Sequence, residues 1–170
     1  MTTGPGPRLL WCVPAVFVIG VTALAVSWGL FYVYHPDGFV DTLPSISETI
    51  SKTPGSTAFQ LLMCIVTPCI VVSWLLNFNA TRAHLATIAA RGENIRAASR
   101  FNLAACSIGI LAGLLLASLS VVKLHAGHLS HTWHIWLSEG FYSSQVTAFL
   151  LDGICAVLRR KGQTNNAQAR

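Results

Sequence analysis

The sequence predicts an all-α integral membrane protein, a bundle of four transmembrane helices with a short helix in the first outer loop. Hydrophobic residues make up 53% of the chain and charged residues 10%, whereas soluble proteins carry about 25% charged residues. Apolar runs of about 20 residues or more can each cross a hydrocarbon layer of ~30 Å as a helix. The chain has such runs at 9–33, 58–76, 103–124 and 135–158. They predict one membrane domain, 1–158, and a basic polar cytoplasmic tail, 159–170.

The basic residues predict the orientation of these helices. Threading the chain back and forth places nine of the eleven Lys and Arg residues on one face, and only Lys52 and Lys123 on the other. The nine are Arg8, Arg82, Arg91, Arg96, Arg100, Arg159, Arg160, Lys161 and Arg170. Because positive charge resists translocation, the basic face and both termini are predicted to be cytoplasmic. The membrane itself stays open between an endomembrane, such as the lysosome, and the plasma membrane.

The first apolar run has two interpretations. The A-x-A pattern of Ala23, Leu24 and Ala25 behind Arg8 is typical of a cleavable signal peptide. The run continues to Val33, however, and ends in aromatic residues of the kind found at a membrane interface. We therefore predict a retained transmembrane helix.

The five cysteines all lie within the apolar runs, at Cys12, Cys64, Cys69, Cys106 and Cys155. This placement excludes a disulfide framework in the outer loops and a cysteine-rich zinc module. Cys12, Cys106 and Cys155 fall near the predicted cytoplasmic boundary, where palmitoylation can occur. Packing as small apolar side chains is the favoured interpretation.

The first outer loop contains a helix-capping pattern. Ser45 and Glu48 have the S-x-x-E spacing in which the hydroxyl and the carboxylate each accept a backbone N–H at the start of a helix. Pro44 precedes the cap and Pro54 follows, so a helix of one or two turns fits between them. It either braces the outer ends of the spans or contacts a lipid or partner through Ser45, Ser47 and Glu48.

The same loop is the site of a family resemblance. The stretch LPSISET, 43–49, lies between the first and second spans, Asn102 opens the third span, and His134 precedes the fourth. This order resembles the DRAM-like family, the damage-regulated autophagy modulators, over roughly 10–158. Relatives of that family include a GPI-anchor remodelling factor and regulators of phosphatidylinositol 4-kinase. The family's His is usually followed by Asp, where this chain has Ile135, and its members usually have six spans.

The resemblance implies a non-enzymatic multi-pass modulator of autophagy or of an endomembrane. Two alternatives stay open. One is a GPI-anchor lipid remodelling factor, which could use His134 with Glu139 or Ser47. The other is a scaffold that recruits a lipid kinase through the basic cytoplasmic loop. The sequence has no G-x-S-x-G, H-E-x-x-H, Walker or G-x-G-x-x-G motif, and it points to no cofactor. We therefore predict that the chain is not an enzyme.

The cytoplasmic loop, 77–100, is rich in Ala and should extend both flanking helices, with Gly92 ending one and Asn94 capping the next. Arg96 and Arg100 then share a face, with Arg91 near it. These arginines are either an ordinary positive-inside signal or a contact for inner-leaflet phosphoinositides. Because the cations of the chain flank membrane spans and form no single stripe, anionic lipid is a better counterpart than nucleic acid. A glycosylation sequon at 79–81 is interpreted as chance.

Small residues in the third span predict close helix packing. Gly109 and Gly113 form a G-x-x-x-G pattern, which lets another helix backbone approach. Packing within one chain is the favoured interpretation, and a homodimer or a protein partner on this face is the alternative.

The fourth span is the most polar. Its polar residues should face the bundle or a wet cavity, because an unpaired carboxylate in the hydrocarbon costs roughly 2.5 to 3.5 kcal/mol. They are Glu139, Ser143, Ser144, Gln145, Thr147 and Asp152. Glu139 and Gln145 are candidates for an interior polar site, whereas Asp152 is predicted to be stabilised by the basic residues at the inner boundary.

Four histidines recur every three residues before the fourth span, at His125, His128, His131 and His134. Steps of three residues drift by about 60° on an α-helix, so all four cannot converge on one metal ion. We predict no metal site. A solvated interfacial loop is favoured over sensing of lumenal acidity, which an imidazole with an ordinary pKa near 6.5 could perform.

Overall fold

The computed structural model describes residues 7–35, 53–122 and 128–168, and side chains at 18–35, 53–122, 129 and 131–160. Its elements are helices α1, Pro7–Tyr34; α2, Gly55–Ala89; α3, Arg96–Val121; and α4, His128–Gln168. The all-α prediction is confirmed. The predicted short helix with Ser45, Ser47 and Glu48 lies outside the described residues.

In the part of the chain that the structure describes, three helices are long and apolar enough to cross a membrane. They are Gly55–Ala89, Arg96–Val121 and His131–Arg160. In α1 the segment with described side chains, Val18–Tyr34, is apolar but shorter than these. The second, third and fourth predicted spans therefore correspond to helices α2, α3 and α4.

The helices pack in chain order, with α1 on α2, α2 on α3, and α3 on α4. We call the end at Gly55 the outer end and the end at the 90–95 turn the inner end. Three apolar clusters succeed one another from outer to inner end. The outer cluster contains Ala23, Phe59, Met63 and Val66; the middle cluster contains Trp74, Ala105, Cys106 and Ala148; the inner cluster contains Leu85, Ile88, Ala98 and Cys155.

The turn between α2 and α3 follows the prediction at Gly92, whereas the N-cap residue of α3 is Ile95 and not Asn94. Gly92 adopts φ +83°, a left-handed conformation that glycine reaches without steric cost, and its N–H donates to the Ala89 carbonyl at 2.9 Å. The Asn94 Oδ1 accepts the Arg96 N–H at 3.1 Å, at the start of α3. Both helices extend well into the predicted loop, so the inner ends of the spans continue as packed helix.

Gly109 and Gly113 form the contact between α3 and α2. A Cβ at Gly109 would overlap the indole of Trp74, and one at Gly113 would lie 3.2 Å from the Val71 Cγ2. The absence of a side chain thus lets α2 approach α3 closely. The G-x-x-x-G pattern packs within one chain, as favoured, and a homodimer through this face stays a prediction.

Two of the cysteines predicted near the boundary belong to the protein interior. Cys106 is 6% exposed and Cys155 is fully buried, with its Sγ donating to the Ala98 carbonyl at 3.4 Å. A buried thiol between packed helices cannot present itself to an acyltransferase, which disfavours palmitoylation at these two positions. The side chain of Cys12 lies outside the described part of the chain.

Candidate functional site

A layer of polar side chains joins α2, α3 and α4 on the inner side of the middle cluster. The Asn77 Nδ2 donates to the Asp152 Oδ1 at 3.0 Å, which links α2 to α4. The Asn102 Nδ2 donates to the Phe78 carbonyl at 3.1 Å, which links α3 to α2. We call Asn77, Asn102 and Asp152 the inner polar layer. Its hydrogen bonds satisfy polar groups that would otherwise be costly inside a membrane.

The position of the layer follows from the boundaries of the apolar runs. Asn77 directly follows the second run and Asn102 directly precedes the third. Because α2 and α3 are antiparallel and joined by a tight turn, these two ends come to the same level. Asp152 enters this level from α4, where sequence reasoning expected the basic residues to stabilise it. The structure gives its carboxylate a hydrogen bond from Asn77.

A second polar link lies closer to the inner end. The Arg159 Nη1 donates to the Thr81 Oγ1 at 3.5 Å, between α4 and α2. Thr81 is 2% exposed and Arg159 is half-buried. We call Thr81 and Arg159 the α2–α4 seam. Two exposed arginines adjoin it along the chain, Arg82 after Thr81 and Arg160 after Arg159.

The arginines predicted to contact lipid are all exposed. Arg91 lies in the turn, and Arg96 and Arg100 lie in the first turns of α3. Arginine is unfavourable at this position for the helix itself, because the N-terminal end of a helix carries partial positive charge. α3 has no acidic residue in its first turn to balance them. An anion from outside the helix would therefore stabilise this end.

The structure separates His134 and Glu139, the pair that a lipid remodelling enzyme would use. His134 is 5% exposed, and its Nδ1 lies 2.9 Å from the Val122 carbonyl, so it ties α4 to the end of α3. Glu139 is exposed. Five residues correspond to about 140° around the helix, so a helix that buries His134 turns Glu139 away from the same neighbour.

Three of the polar residues predicted to face the bundle or a wet cavity do not face the bundle. Glu139, Ser143 and Thr147 are exposed, because α4 packs through the face that carries Ala148 and Cys155. The Thr147 hydroxyl donates to the Ser143 carbonyl of its own helix at 2.7 Å, which removes the cost of facing lipid.

Gln145 does point inward. It is half-buried, and its Oε1 is a buried atom without a hydrogen-bond partner among the described residues. Among the residues that the structure describes, no group of three or more His, Cys, Asp and Glu could hold a metal ion. His131 is exposed, and the side chains of His125 and His128 lie outside this description.

Sequence reasoning missed Asn77 and Thr81. Thr81 was seen only as part of a chance sequon, and Asn77 only as the first residue of a loop. The available signal was their position, since polar residues that border two antiparallel apolar runs on the same side should meet. Their partners in α4 lie 75 and 78 residues away, and no local pattern predicts such a pairing.

These helices and their buried polar links define an α-helical integral membrane protein. Residues 8–166 match the family model of the Frag1/DRAM/Sfk1/Cwh43P N-terminal domain. The match covers most of the chain, so the chain belongs to this family, and the DRAM-like resemblance is confirmed. No curated protein and no solved structure matches the chain significantly.

Proposed function

We propose that this chain is a non-enzymatic, four-span membrane modulator of the DRAM-like type that regulates autophagy at an endomembrane. One observation carries the proposal: five buried or half-buried polar side chains toward the inner end join helices to one another. The inner polar layer and the α2–α4 seam hold α2, α3 and α4 together. Family membership supports a membrane role, and the autophagy role comes from the DRAM-like relatives.

The arrangement of polar groups supports a non-catalytic role. Acyl transfer needs a nucleophile, a base and an oxyanion site converging on one atom. His134 and Glu139, the pair that a lipid remodelling enzyme would use, lie on different sides of α4. The His134 Nδ1 is also engaged by a backbone carbonyl.

The catalytic alternative is tested with purified chain in detergent. GPI-type and glycerophospholipid acyl donors are supplied, and product is measured by mass spectrometry for the native chain, His134→Ala and Glu139→Gln. We expect no turnover. Turnover that disappears in both variants would contradict the modulator proposal and support the remodelling enzyme.

The autophagy proposal is tested in cells depleted of the chain. We expect autophagic flux to change on depletion and to return when the native chain is restored. Restoration with a double variant at the inner polar layer, Asn77→Leu with Asp152→Leu, should fail if the joined helices are the active form. Unchanged flux on depletion would contradict the proposed process.

The proposal includes α1 as the first span and cytoplasmic termini. Helix α1 has 28 residues, or about 42 Å of helix, which exceeds the hydrocarbon thickness. The test introduces single cysteines at Thr53 and Gln163 in a chain whose native cysteines are changed to alanine. In cells with a permeabilised plasma membrane and sealed organelles, an impermeant reagent should label only the Gln163 site. Labelling of the Thr53 site instead would contradict the orientation, and loss of about 25 residues from the mature mass would indicate a cleaved signal peptide.

The exposed arginines favour a second candidate, a scaffold for a lipid kinase. Arg96 and Arg100 place positive charge at a helix end that is already positive, and Arg91 adds to it. Changing all three to Gln should abolish binding to phosphoinositide vesicles if they recruit the lipid substrate of such a kinase. Binding that is unchanged leaves the autophagy modulator as the better proposal.

A further inference from the structure

The α2–α4 seam contains a cation without a matching anion. Arg159 is half-buried, and its Nη1 donates to the neutral hydroxyl of Thr81 on α2 at 3.5 Å. That distance is at the weak end of the range for hydrogen bonds. Among the described residues, no carboxylate lies within ion-pair distance of Arg159.

The nearest acidic residue on the same helix is already engaged. Asp152 lies about two turns, or about 10 Å, further into the bundle than Arg159. Its Oδ1 accepts the Asn77 amide, which binds Asp152 to α2 at that deeper level. Among the described residues only Thr81 accepts from Arg159, which leaves most of its N–H donors for a group from outside the chain.

The location of Arg159 defines the chemistry of that group. It directly follows Leu158, the last residue of the fourth apolar run, so it lies where the hydrocarbon ends and the lipid headgroups begin. Guanidinium binds phosphate through paired hydrogen bonds, and it does so better than a point charge such as an ammonium. The exposed Arg82, next to Thr81, adds positive charge.

We propose that Arg159, held against α2 by Thr81, binds the phosphate of an anionic glycerophospholipid in the membrane leaflet at the inner end. Arg82 contributes further attraction for the headgroup. The lipid would bridge α2 and α4 at the inner end of the bundle. The proposal goes beyond the proposed function, because it names an anionic lipid and the residues that bind it. It rests on the proposed function only for identifying that leaflet as the cytoplasmic one.

The test uses the purified full chain, delipidated in detergent and titrated with dioctanoyl phosphatidylserine. Binding is followed by isothermal titration calorimetry. We expect Arg159→Gln to weaken binding about tenfold, the loss of one good charge-assisted contact. Arg160→Gln, which removes the same charge from the neighbouring exposed position, is the matched control and should change the dissociation constant less than about threefold.

Two further variants keep the test decisive if Arg159→Gln lowers the yield of folded protein. Arg159→Lys retains the charge and loses the paired geometry, so its binding should be intermediate. Thr81→Val retains the shape of Thr81 and loses the hydroxyl that orients Arg159, and it should weaken binding by a smaller factor. Circular dichroism and elution volume establish that each variant is folded.

Three outcomes would overturn the proposal. Equal weakening by Arg159→Gln and Arg160→Gln would show diffuse attraction to a basic surface. Equal affinity of the native chain for dioctanoyl phosphatidylcholine and phosphatidylserine would show no preference for an anionic lipid. Displacement of the lipid by inorganic phosphate at similar concentration would identify a free phosphate as the ligand. Each result is independent of orientation and of autophagy, so failure here is distinguishable from failure of the proposed function.

Discussion

The inner and outer halves of this bundle are held together by different kinds of contact. In the inner half, side chains within the helices reach other helices, as Asn77 does to Asp152 and Arg159 to Thr81. In the outer half, the links go to backbone carbonyls at helix ends. Ser27 donates to the Gly55 carbonyl at 3.4 Å, and His134 lies 2.9 Å from the Val122 carbonyl.

The two kinds of contact differ in specificity. The outer contacts use backbone carbonyls at helix ends, whereas the inner contacts require a particular pair of side chains. A backbone carbonyl accepts from many kinds of donor, and one that follows the last turn of a helix, as that of Val122 does, also lacks an intrahelical partner. An Asn–Asp pair between two spans needs both side chains at matching positions. The inner half is therefore where a substitution should affect a specific arrangement, and where we place the candidate site.

The largest effect is expected at the glycine contact between α2 and α3. Gly109→Ala should lower the free energy of unfolding by about 2–3 kcal/mol, because the added Cβ would overlap the Trp74 indole and force the helices apart. Thermal unfolding in detergent, followed by circular dichroism, measures the change.

Gly153→Ala is the matched control for that substitution. No heavy atom lies within 4 Å of a Cβ at Gly153, so alanine there should raise stability by about 0.5–1 kcal/mol through helix propensity alone. Combining Gly109→Ala with Trp74→Leu should recover part of the lost stability. Equal effects at the two glycines would contradict the close contact of α2 with α3.

The next effect concerns the inner polar layer. Asp152→Ala should cost about 1–2 kcal/mol, because it removes the acceptor of the Asn77 amide at a half-buried site. A double-mutant cycle with Asn77→Ala should give a coupling energy of about 1 kcal/mol. Thr147→Val is the control, since its hydroxyl bonds only its own helix, and it should cost little. A coupling energy of zero between Asn77 and Asp152 would mean that the inner half is not held together by a specific pair of side chains.

The sequence predicts the helices well because their signals are local. Three apolar runs appear as α2, α3 and α4, and the Ala-rich stretch extends α2 to Ala89. Gly92 and Asn94 are predictable from turn chemistry, since the conformation of each depends on neighbours a few residues away. Gly109 and Gly113 likewise show their close packing through spacing alone.

The faces of α4 are not predictable in the same way. Glu139 and Thr147 are exposed because the neighbours of α4, and not its composition, decide which side is covered. The general cost of polar groups in lipid predicts that they turn inward, but a hydroxyl can satisfy itself on its own helix. The partner of Asp152 depends on how α4 meets α2, which a single sequence does not contain.

A smaller effect is expected where His134 of α4 contacts the end of α3. His134→Asn should lower stability by about 1 kcal/mol, because a buried ring that bonds the Val122 carbonyl is replaced by a shorter side chain. His131→Asn at an exposed position is the control and should leave stability unchanged. If the two substitutions cost the same, His134 does not connect α4 to α3, and the outer half has lost one of its links.

The smallest effect is expected at the turn that closes the inner end. Asn94→Ala should cost about 0.5 kcal/mol, at the low end for a hydrogen bond, since the Asn94 Oδ1 and the Arg96 N–H are exposed to water. Asn94→Asp retains the acceptor and places a negative charge near the start of α3, so it should keep or raise stability. Thermal unfolding at low salt measures both changes, and lipid binding should be unaffected in either. A loss of phosphatidylserine binding on Asn94→Ala would contradict the lipid site. It would mean that lipid binding depends on the ordered structure of the whole inner end and not on the α2–α4 seam.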